Sequence, residues 1–253
     1  MDAPESVAFL AGSPERLRLL VHLRERPGSP RNVTAATDVS HRSVQRNLSE
    51  FADRGWVRKR EGEYALTTSG DLVARTHEAY VETMATIAEY DPFFRHLPDA
   101  RHAPNPEWLR DATLVTASPE QPQAPVSHYV SRLRERRTRS IRMLAPVLSR
   151  LYHDAHAELV LSGVETELVM PAERVEIARS RNPLEFRVVR QAIDIYQYDG
   201  PIELGVTLGD DWALAGAYDD EGQLRALVEC DDRDFLDWAE KLYDRYRDGA
   251  RPV

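Results

Sequence analysis

Hydrophobic positions in the first part of the chain recur every three to four residues, in short runs bounded by capping signals. Ser13-Pro14-Glu15 has the form of a helix start, because a capping serine is followed by proline at the first helical position. The apolar run that follows ends at Pro27-Gly28, and Ser29-Pro30 predicts a second, short helix that ends near Ala36. The pattern therefore predicts two helices separated by a tight turn.

A third helix is predicted from His41 to Arg54. Ser40 supplies its N-cap after the connection Thr37-Asp38-Val39, and Gly55 supplies its stop. The apolar residues of this helix form one stripe, at positions i, i+4 and i+7: Val44, Leu48 and Phe51. The opposite face carries side chains that suit base edges and phosphates: Arg42, Gln45, Arg46 and Ser49.

A basic hairpin is predicted directly after the third helix. Its first strand contains Arg58, Lys59 and Arg60, and the glycine turn Glu61-Gly62-Glu63 separates it from a second strand, Tyr64 to Thr67. Because side chains alternate along a strand, Lys59 is expected to point away from Arg58 and Arg60. Helices followed by such a hairpin are typical of a winged helix-turn-helix, whose third helix enters the major groove.

The ordered set of helices, caps and basic hairpin predicts a DNA-binding domain over residues 1–70. A polar helix face by itself is also what any small helical domain shows, so the order of the elements is what favours DNA. We expect double-stranded promoter DNA to contact ten side chains: Ser40, His41, Arg42, Ser43, Gln45, Arg46, Ser49, Arg58, Lys59 and Arg60.

A long helix is predicted from Asp71 to about Tyr90. Its apolar and small polar positions recur at helical spacing: Leu72, Val73, Thr76, Tyr80, Met84 and Ile87. This face either packs on its own domain or pairs with a second copy, and we expect a homodimer. Asp91-Pro92 ends the helix, and a linker is marked by Pro98, Pro104 and Pro106. The dimerisation helix and linker are predicted to occupy residues 71–105.

Strand-like and helix-like patterns alternate in the remaining segment, 106–253, and predict an α/β domain with a mixed sheet. Strands are predicted at Thr113–Ala117, Ser140–Ala145, Glu165–Met170, Ile193–Tyr198, Ile202–Leu208, Trp212–Tyr218 and Leu224–Glu229. Helices are predicted at Pro125–Arg136, Pro146–Ala157, Pro171–Ser180, Pro183–Arg190 and Asp232–Arg247. The fold class of the whole chain is predicted to be α+β.

Charge is unevenly distributed over the 253 residues, whose net charge is −9. Residues 1–75 carry 12 basic and 10 acidic side chains, whereas the rest carries 21 and 32. Only Lys59 and Lys241 are lysines among 33 basic residues, which is typical of a halophilic protein or of a GC-rich genome. In molar salt the Debye length falls to about 3 Å, so an acidic protein is still able to bind DNA there.

The sequence also predicts a cytoplasmic protein that does not enter a membrane. No apolar run approaches the roughly 18–20 residues of a membrane span, and Met1 to Leu10 lacks the form of a secretory signal. The single cysteine, Cys230, excludes an intramolecular disulfide and a multi-thiolate zinc site.

The chain resembles two-domain transcription regulators of halophilic archaea. The stretches Val39–Leu48 and Phe51–Val57 look like the winged helix of ArsR-like and TrmB-like regulators, and Leu66-Thr67-Thr68-Ser69-Gly70 resembles their exit into a long helix, with Thr68 where proline is usual. The C-terminal half resembles the middle domain of the methanogenesis regulatory protein and the effector domain of TrmB, through three stretches: Tyr196–Gly200, Leu204–Val206 and Ala226–Asp232.

This resemblance implies a phospholipase D-like fold for the C-terminal domain, without its chemistry. The enzymes of that fold need a His-x-Lys pair, and neither Lys59 nor Lys241 has a histidine two residues before it. The chain also lacks a phosphate-binding loop, a dinucleotide-binding glycine motif and a Gly-x-Ser-x-Gly elbow. We therefore expect no catalytic residue, no cofactor and no enzymatic activity.

A small-molecule effector is the expected ligand of the C-terminal domain. Its candidate pocket residues are Tyr196, Tyr198, Asp199 and Glu229, although ordinary strand packing explains the tyrosines equally well. His153 and His156 have metal-ligand spacing, but a solvated helix end is favoured, and no metal is predicted. Cys230 is a candidate sensor, but a buried cysteine at a strand end is favoured.

The sequence thus predicts a homodimeric, sequence-specific DNA-binding transcription regulator whose C-terminal domain senses a ligand or mediates interactions. The alternative is an enzyme or an interaction module that uses the winged helix only for assembly.

Overall fold

The computed structural model describes residues 2–147 and 150–253, and the chain divides into two compact units. The N-terminal unit comprises Met1–Ala85 and the C-terminal unit comprises Thr86–Val253. Within the described residues no helix is long and apolar enough to cross a membrane. The predicted α+β class is confirmed, with a winged helical unit, a long helix and a mixed sheet.

Four helices and a hairpin precede the long helix of the N-terminal unit. The elements are α1 (Ala3–Ala11), α2 (Pro14–Glu25), α3 (Pro30–Ala36), α4 (His41–Asp53), β1 (Val57–Arg60), β2 (Glu63–Leu66) and α5 (Thr68–Glu89). Helices α2, α3 and α4 and the hairpin lie where the sequence predicts them. Helix α1 was not predicted, because its exposed face carries few charges and its contribution to the core rests on Phe9 and Leu10.

The core of the N-terminal unit forms under the apolar stripe of α4. Val44, Leu48 and Phe51 are completely buried, together with leucines of α2 and with Trp56 at the base of the hairpin. Gly28, in the turn between α2 and α3, exchanges two main-chain hydrogen bonds with Tyr64 of β2 and so joins the helices to the hairpin.

Helix α5 begins at Thr68 rather than at Asp71. The hydroxyl of Thr67 accepts a hydrogen bond from the amide of Gly70 at 3.1 Å and donates to the carbonyl oxygen of Gly55 at 2.7 Å. This cap starts the helix one turn before its apolar pattern begins. Helix α5 ends at Glu89, and the short helix α6 (Asp91–Phe94) follows it directly.

The prolines that predict a linker lie in a structured segment of the C-terminal unit. Two 3₁₀ turns, Ala100–His102 and Pro106–Leu109, follow α6. Phe93 and Leu109 are completely buried in the core of this unit. The prolines therefore prevent a long α-helix in this segment, but the segment still packs against the core of the unit.

An eight-stranded mixed sheet forms the centre of the C-terminal unit. Its strands are β3 (Thr113–Thr116), β4 (Ser140–Leu144), β5 (Glu165–Pro171), β6 (Asp194–Tyr198), β7 (Gly205–Leu208), β8 (Ala213–Tyr218), β9 (Leu224–Cys230) and β10 (Ala250–Pro252). Their order is β10-β6-β5-β4-β7-β8-β9-β3, and only the pairs β4–β5 and β5–β6 are parallel. The helices are α7 (Ala124–Glu135), α8 (Arg150–Leu161), α9 (Ala172–Arg181), α10 (Pro183–Ala192) and α11 (Arg233–Asp248).

Helices cover both faces of this sheet. One face packs on α11 and on the segment that contains Phe93 and Leu109, and the other packs on α7 and α8. Helix α11 lies within one residue of its predicted bounds, and Phe235, Leu242 and Tyr246 are buried on its inner side.

Two elements of this unit differ from the prediction by three residues or more, and one strand was not predicted. Helix α8 begins at Arg150 rather than at Pro146 and extends to Leu161; positions 148 and 149 lie outside the described residues. Strand β7 begins at Gly205, because Ile202 and Leu204 are buried without joining the hydrogen-bonded ladder. Strand β10 was not predicted, since three residues carry no pattern and pairing with β6 alone defines it.

Candidate nucleic-acid interface

The N-terminal end of α4 is positioned by two hydroxyl side chains. The Ser40 hydroxyl accepts a hydrogen bond from the Ser43 amide at 3.2 Å and lies 3.1 Å from the Ser43 hydroxyl. One helix earlier, the hydroxyl of Thr34 lies 3.1 Å from Nδ1 of His41. The first turn of α4 is therefore capped by Ser40 and linked to α3 through His41.

The polar face predicted for α4 is exposed. The side chains of Arg42, Gln45, Arg46 and Ser49 all point to solvent, at positions i, i+3, i+4 and i+7 of one helix. Within the described residues neither Arg42 nor Arg46 makes an ion pair. Two other arginines of this unit are paired, since Arg24 contacts Glu78 at 2.8 Å and Arg54 contacts Glu50 at 2.6 Å.

The hairpin is closed by a two-residue turn with left-handed backbone. Glu61 and Gly62 have φ values of 50° and 88°, which matches the handedness that tight hairpins need. Its register pairs Arg58 with Ala65, Lys59 with Tyr64 and Arg60 with Glu63.

The basic residues of the hairpin fall into two environments. The ammonium group of Lys59 lies 5.4 Å from the ring centroid of Tyr64. Arg58 and Arg60 are exposed, and in the part of the chain that the structure describes they make no ion pair. These two guanidinium groups are therefore available to phosphate oxygens.

One residue of α4 that sequence analysis missed is Asn47. Its side chain is 1% exposed, and its Oδ1 lies 3.4 Å from Nε of Arg16. The ring of Phe9 lies between the guanidinium groups of Arg16 and Arg54, at 3.9 and 3.8 Å. The sequence signal for this residue was its position beside Leu48, on the inner side of the helix. Through Arg16 and Phe9, Asn47 helps to hold α2 and α1 on α4.

The residues predicted to line one ligand pocket are not brought together. Tyr196 and Tyr198 lie on β6 and pack against α11, where Arg247 stacks on the Tyr196 ring at 3.3 Å. Asp199 pairs with Arg251 at 2.6 Å. Glu229 lies on β9, and four strands separate β9 from β6, so the predicted grouping of these residues is wrong.

Glu229 instead forms a buried ion cluster with α7. Its carboxylate is 6% exposed and contacts His128 at 2.8 Å, Arg132 at 2.7 Å and Arg136 at 3.0 Å. Burial raises the pKa of this carboxyl, but the hydrogen bonds from His128 and Arg136 and the charge of Arg132 outweigh burial and lower it overall. The cluster fixes α7 to the sheet.

Two further sequence candidates, Cys230 and His156, have structural partners. Cys230 is buried, its thiol donates to the carbonyl oxygen of Trp108 at 3.4 Å, and burial raises its pKa. Nε2 of His156 lies 3.0 Å from the hydroxyl of Tyr129, whereas the side chain of His153 lies outside the described residues. No cluster of three metal-ligating side chains occurs among the residues that the structure describes.

Comparisons with solved structures give distant similarities. TrmBL2, described as an archaeal chromatin protein with a novel mode of DNA binding, is 12% identical over 100% of both chains, with a TM-score of 0.44. NucT from Helicobacter pylori is 12% identical over 56% of this chain and 99% of its own, with a TM-score of 0.43. Phosphatidylserine synthase from Haemophilus influenzae Rd KW20 is 12% identical over 56% of this chain and 39% of its own, with a TM-score of 0.41. These similarities are too distant to assign an activity, and the likeness to the phospholipase D fold stays a prediction.

Family comparisons are more informative. No curated protein matches the chain. Residues 4–89 match the family described as the HVO_A0261 N-terminal domain. Residues 122–249, about half of the chain, match the middle domain of methanogenesis regulatory protein FilR1, which confirms the resemblance inferred from the sequence. The chain therefore belongs to the family of the methanogenesis regulatory protein FilR1 middle domain.

Proposed function

We propose that this protein is a sequence-specific DNA-binding transcription regulator that acts as a homodimer. The observation that carries the proposal is the exposed face of α4, where Gln45 is exposed and where Arg42 and Arg46 are free of ion pairs within the described residues. A solvated arginine outside an ion pair keeps its five donors for guanine edges or phosphates. The family assignment to a regulatory protein supports the same function.

The wing extends this surface in the proposed complex. Arg58 and Arg60 contact the DNA backbone, and Ser40, His41 and Ser43 present the first turn of α4 to a phosphate. Ser49, one turn beyond Gln45, lies farther along the same groove-facing side. Lys59 contributes charge from beside Tyr64. Phosphate contacts of this kind position the protein, whereas base contacts determine which sequence it prefers.

Dimerisation is proposed to occur through the exposed stripe of α5, formed by Leu72, Thr76, Tyr80 and Met84. Leu72, Tyr80 and Met84 are 60%, 53% and 48% exposed, whereas Val73 turns toward the core. An apolar stripe that the chain itself leaves uncovered is typical of a protein interface. A second copy would cover it and place two α4 helices on neighbouring half-sites.

The C-terminal unit is proposed to be a regulatory domain rather than an enzyme. Neither lysine of the chain belongs to a His-x-Lys pair, and the buried carboxylate of Glu229 is engaged in structural contacts with α7. We further propose that the protein is adapted to high salt, on the basis of its 42 acidic residues and two lysines. A cytoplasmic location is proposed because the proposed function requires contact with promoter DNA.

A mobility-shift assay tests this function. The full-length protein is titrated against DNA from its own upstream region and against random DNA, from low salt to about 1 M salt. Arg42→Ala and Arg46→Ala are expected to weaken binding to the preferred site by about 1–3 kcal/mol and to affect random DNA much less. Arg139→Ala is the matched control, because Arg139 is 95% exposed and belongs to the C-terminal unit.

Two results would contradict the proposal. Absence of a shift at every salt concentration would favour the winged helix as an assembly module. An equal loss on preferred and random DNA would make Arg42 and Arg46 phosphate contacts and remove the claim of sequence specificity.

A further inference from the structure

An open cavity of about 620 Å³ lies in the segment of the C-terminal unit that begins at the end of α5. Its apolar walls are formed by Ile87, Phe94, Leu97 and Trp108. The rest of the lining lies between Leu97 and Trp108 and consists of Asp99, Ala100, Ala103, Pro104, Asn105 and Pro106. This volume falls within the range of roughly 300–1,000 Å³ that is usual for small-molecule sites.

The walls of this cavity are held in place by contacts outside it. The hydroxyl of Tyr90 donates to the carbonyl oxygen of Ala112 at 2.6 Å, which ties the start of the segment to its end. The thiol of Cys230 donates to the carbonyl oxygen of Trp108 at 3.4 Å. Phe93 and Leu109 are completely buried beside the lining residues. The cavity is therefore preformed, which lowers the entropic cost of filling it.

The charged side chain that lines the cavity, Asp99, is already paired. The carboxylate of Asp99 accepts hydrogen bonds from the main chain and the guanidinium of Arg101, at 2.6–2.8 Å, and the hydrogen bonds from Arg101 lower the pKa of Asp99 to about 2. Oδ1 of Asn105 accepts a hydrogen bond from the amide of Glu107 at 3.1 Å. The lining thus offers aromatic and aliphatic surface without an unpaired charge.

We propose that this cavity binds a neutral, largely apolar small molecule, such as an aromatic compound. A charged ligand would lose hydration without gaining a partner here, whereas apolar surface gains about 25 cal/mol for each Å² removed from water. If the proposed function is correct, this molecule is the effector of the regulator. Only the role of this molecule as an effector rests on the proposed function, because binding to the cavity follows from the cavity itself.

A second cavity, of about 510 Å³, has a different character. It lies at the starts of β4, β5 and β6, and charged side chains line it, among them Arg142, Glu165 and Arg190. A neutral apolar probe is therefore expected to bind the first cavity and not the second. The test below includes this preference.

The test uses the neutral fluorophore N-phenyl-1-naphthylamine, titrated into the full-length protein. Two substitutions fill the cavity from independent positions: Ala100→Trp and Ala103→Trp. Leu184→Asp is the matched control, because Leu184 is 73% exposed and lies outside the cavity. Circular dichroism and thermal unfolding confirm that each variant is folded.

We expect one probe molecule to bind per chain in the wild type and in Leu184→Asp, and each tryptophan variant to weaken binding at least tenfold. Unchanged binding in both tryptophan variants would overturn the proposal. So would absence of probe fluorescence, or loss of binding in Leu184→Asp alone. Sedimentation velocity adds a further contrary outcome: if the tryptophan variants become monomeric, the cavity is an interface between copies.

The mobility-shift assay separates this proposal from the proposed function. If both tryptophan variants bind the preferred DNA and the probe as tightly as the wild type does, only the cavity proposal is overturned. A wild-type protein that binds the probe at the cavity but never binds DNA overturns the proposed function alone.

Discussion

The α-carbon of Gly70 lies directly against the main chain of Trp56. A Cβ at position 70 would lie 2.8 Å from the carbonyl carbon of Trp56 and closer still to its oxygen. Trp56 is buried, and its carbonyl accepts a hydrogen bond from the amide of Thr67 at 2.9 Å. The first turn of α5 therefore fits beneath the hairpin because residue 70 has no side chain.

Gly70→Ala is expected to lower the free energy of unfolding by about 1–3 kcal/mol, because the added methyl group meets main chain that cannot move aside. Urea unfolding followed by circular dichroism measures this decrease. Ser69→Ala, at the neighbouring exposed position, is the control and is expected to change stability by less than about 0.5 kcal/mol. Equal stability of the two variants would contradict the close approach of Gly70 to Trp56.

The Glu229 cluster predicts a decrease in stability on substitution. Glu229→Gln removes the negative charge that His128, Arg132 and Arg136 contact. We expect the free energy of unfolding to fall by about 1–3 kcal/mol at neutral pH. The control is Glu135→Gln, since Glu135 is 60% exposed and pairs with Arg132 at the surface; its effect should stay below about 1 kcal/mol.

The same cluster predicts a pH dependence. Because the pKa of Glu229 in the folded protein lies below the ordinary value of 4.5, its contribution to stability is complete above pH 4.5 and disappears as pH falls through the lowered pKa. Acid unfolding curves of wild type and Glu229→Gln should therefore converge below pH 4.5. Curves that stay parallel through this range would show that Glu229 is not held charged.

The wing predicts a change in salt dependence. The double variant Arg58→Gln, Arg60→Gln should weaken binding to every DNA sequence alike, and the slope of log affinity against log salt should fall by about 0.9 for each phosphate that is no longer neutralised. The sequence preference that Arg42 and Arg46 confer should remain. Lys59→Gln is the control and should change the slope less, because Lys59 lies beside the Tyr64 ring. Normal DNA binding with increased aggregation in sedimentation would show instead that these arginines only keep an edge strand soluble.

The exposed stripe of α5 predicts the oligomeric state. Tyr80→Glu, Met84→Glu should convert a dimer into a monomer, because two carboxylates would be buried at the interface without partners. Sedimentation velocity measures the change, and helical content should be unaffected. Arg75→Ala lies on another side of α5, 66% exposed, and should remain dimeric. A double variant that sediments like the wild type would exclude this stripe as the interface.

Local signals in the sequence were sufficient for helices α2 to α4 and for the hairpin. Serine caps, a helical apolar stripe and a glycine turn act within a few residues, so Ser40, Val44 and Gly62 predict their elements without knowledge of the rest of the chain. The exposed face of α4 follows for the same reason, because burying Val44 and Leu48 on one side leaves Arg42 and Arg46 on the other.

Contacts between distant residues had to come from the tertiary structure. Sheet order depends on which strands pair across long stretches of chain, so the sequence placed Glu229 with Tyr196 although four strands separate them. The cap of α5 required the hydroxyl of Thr67 to meet Gly55, twelve residues earlier. The cavity beside Trp108 likewise exists because Cys230 and Ala112 anchor a proline-rich segment that has no periodic pattern of its own. Periodicity reports which side of an element is buried, and only the folded chain determines what is buried against it.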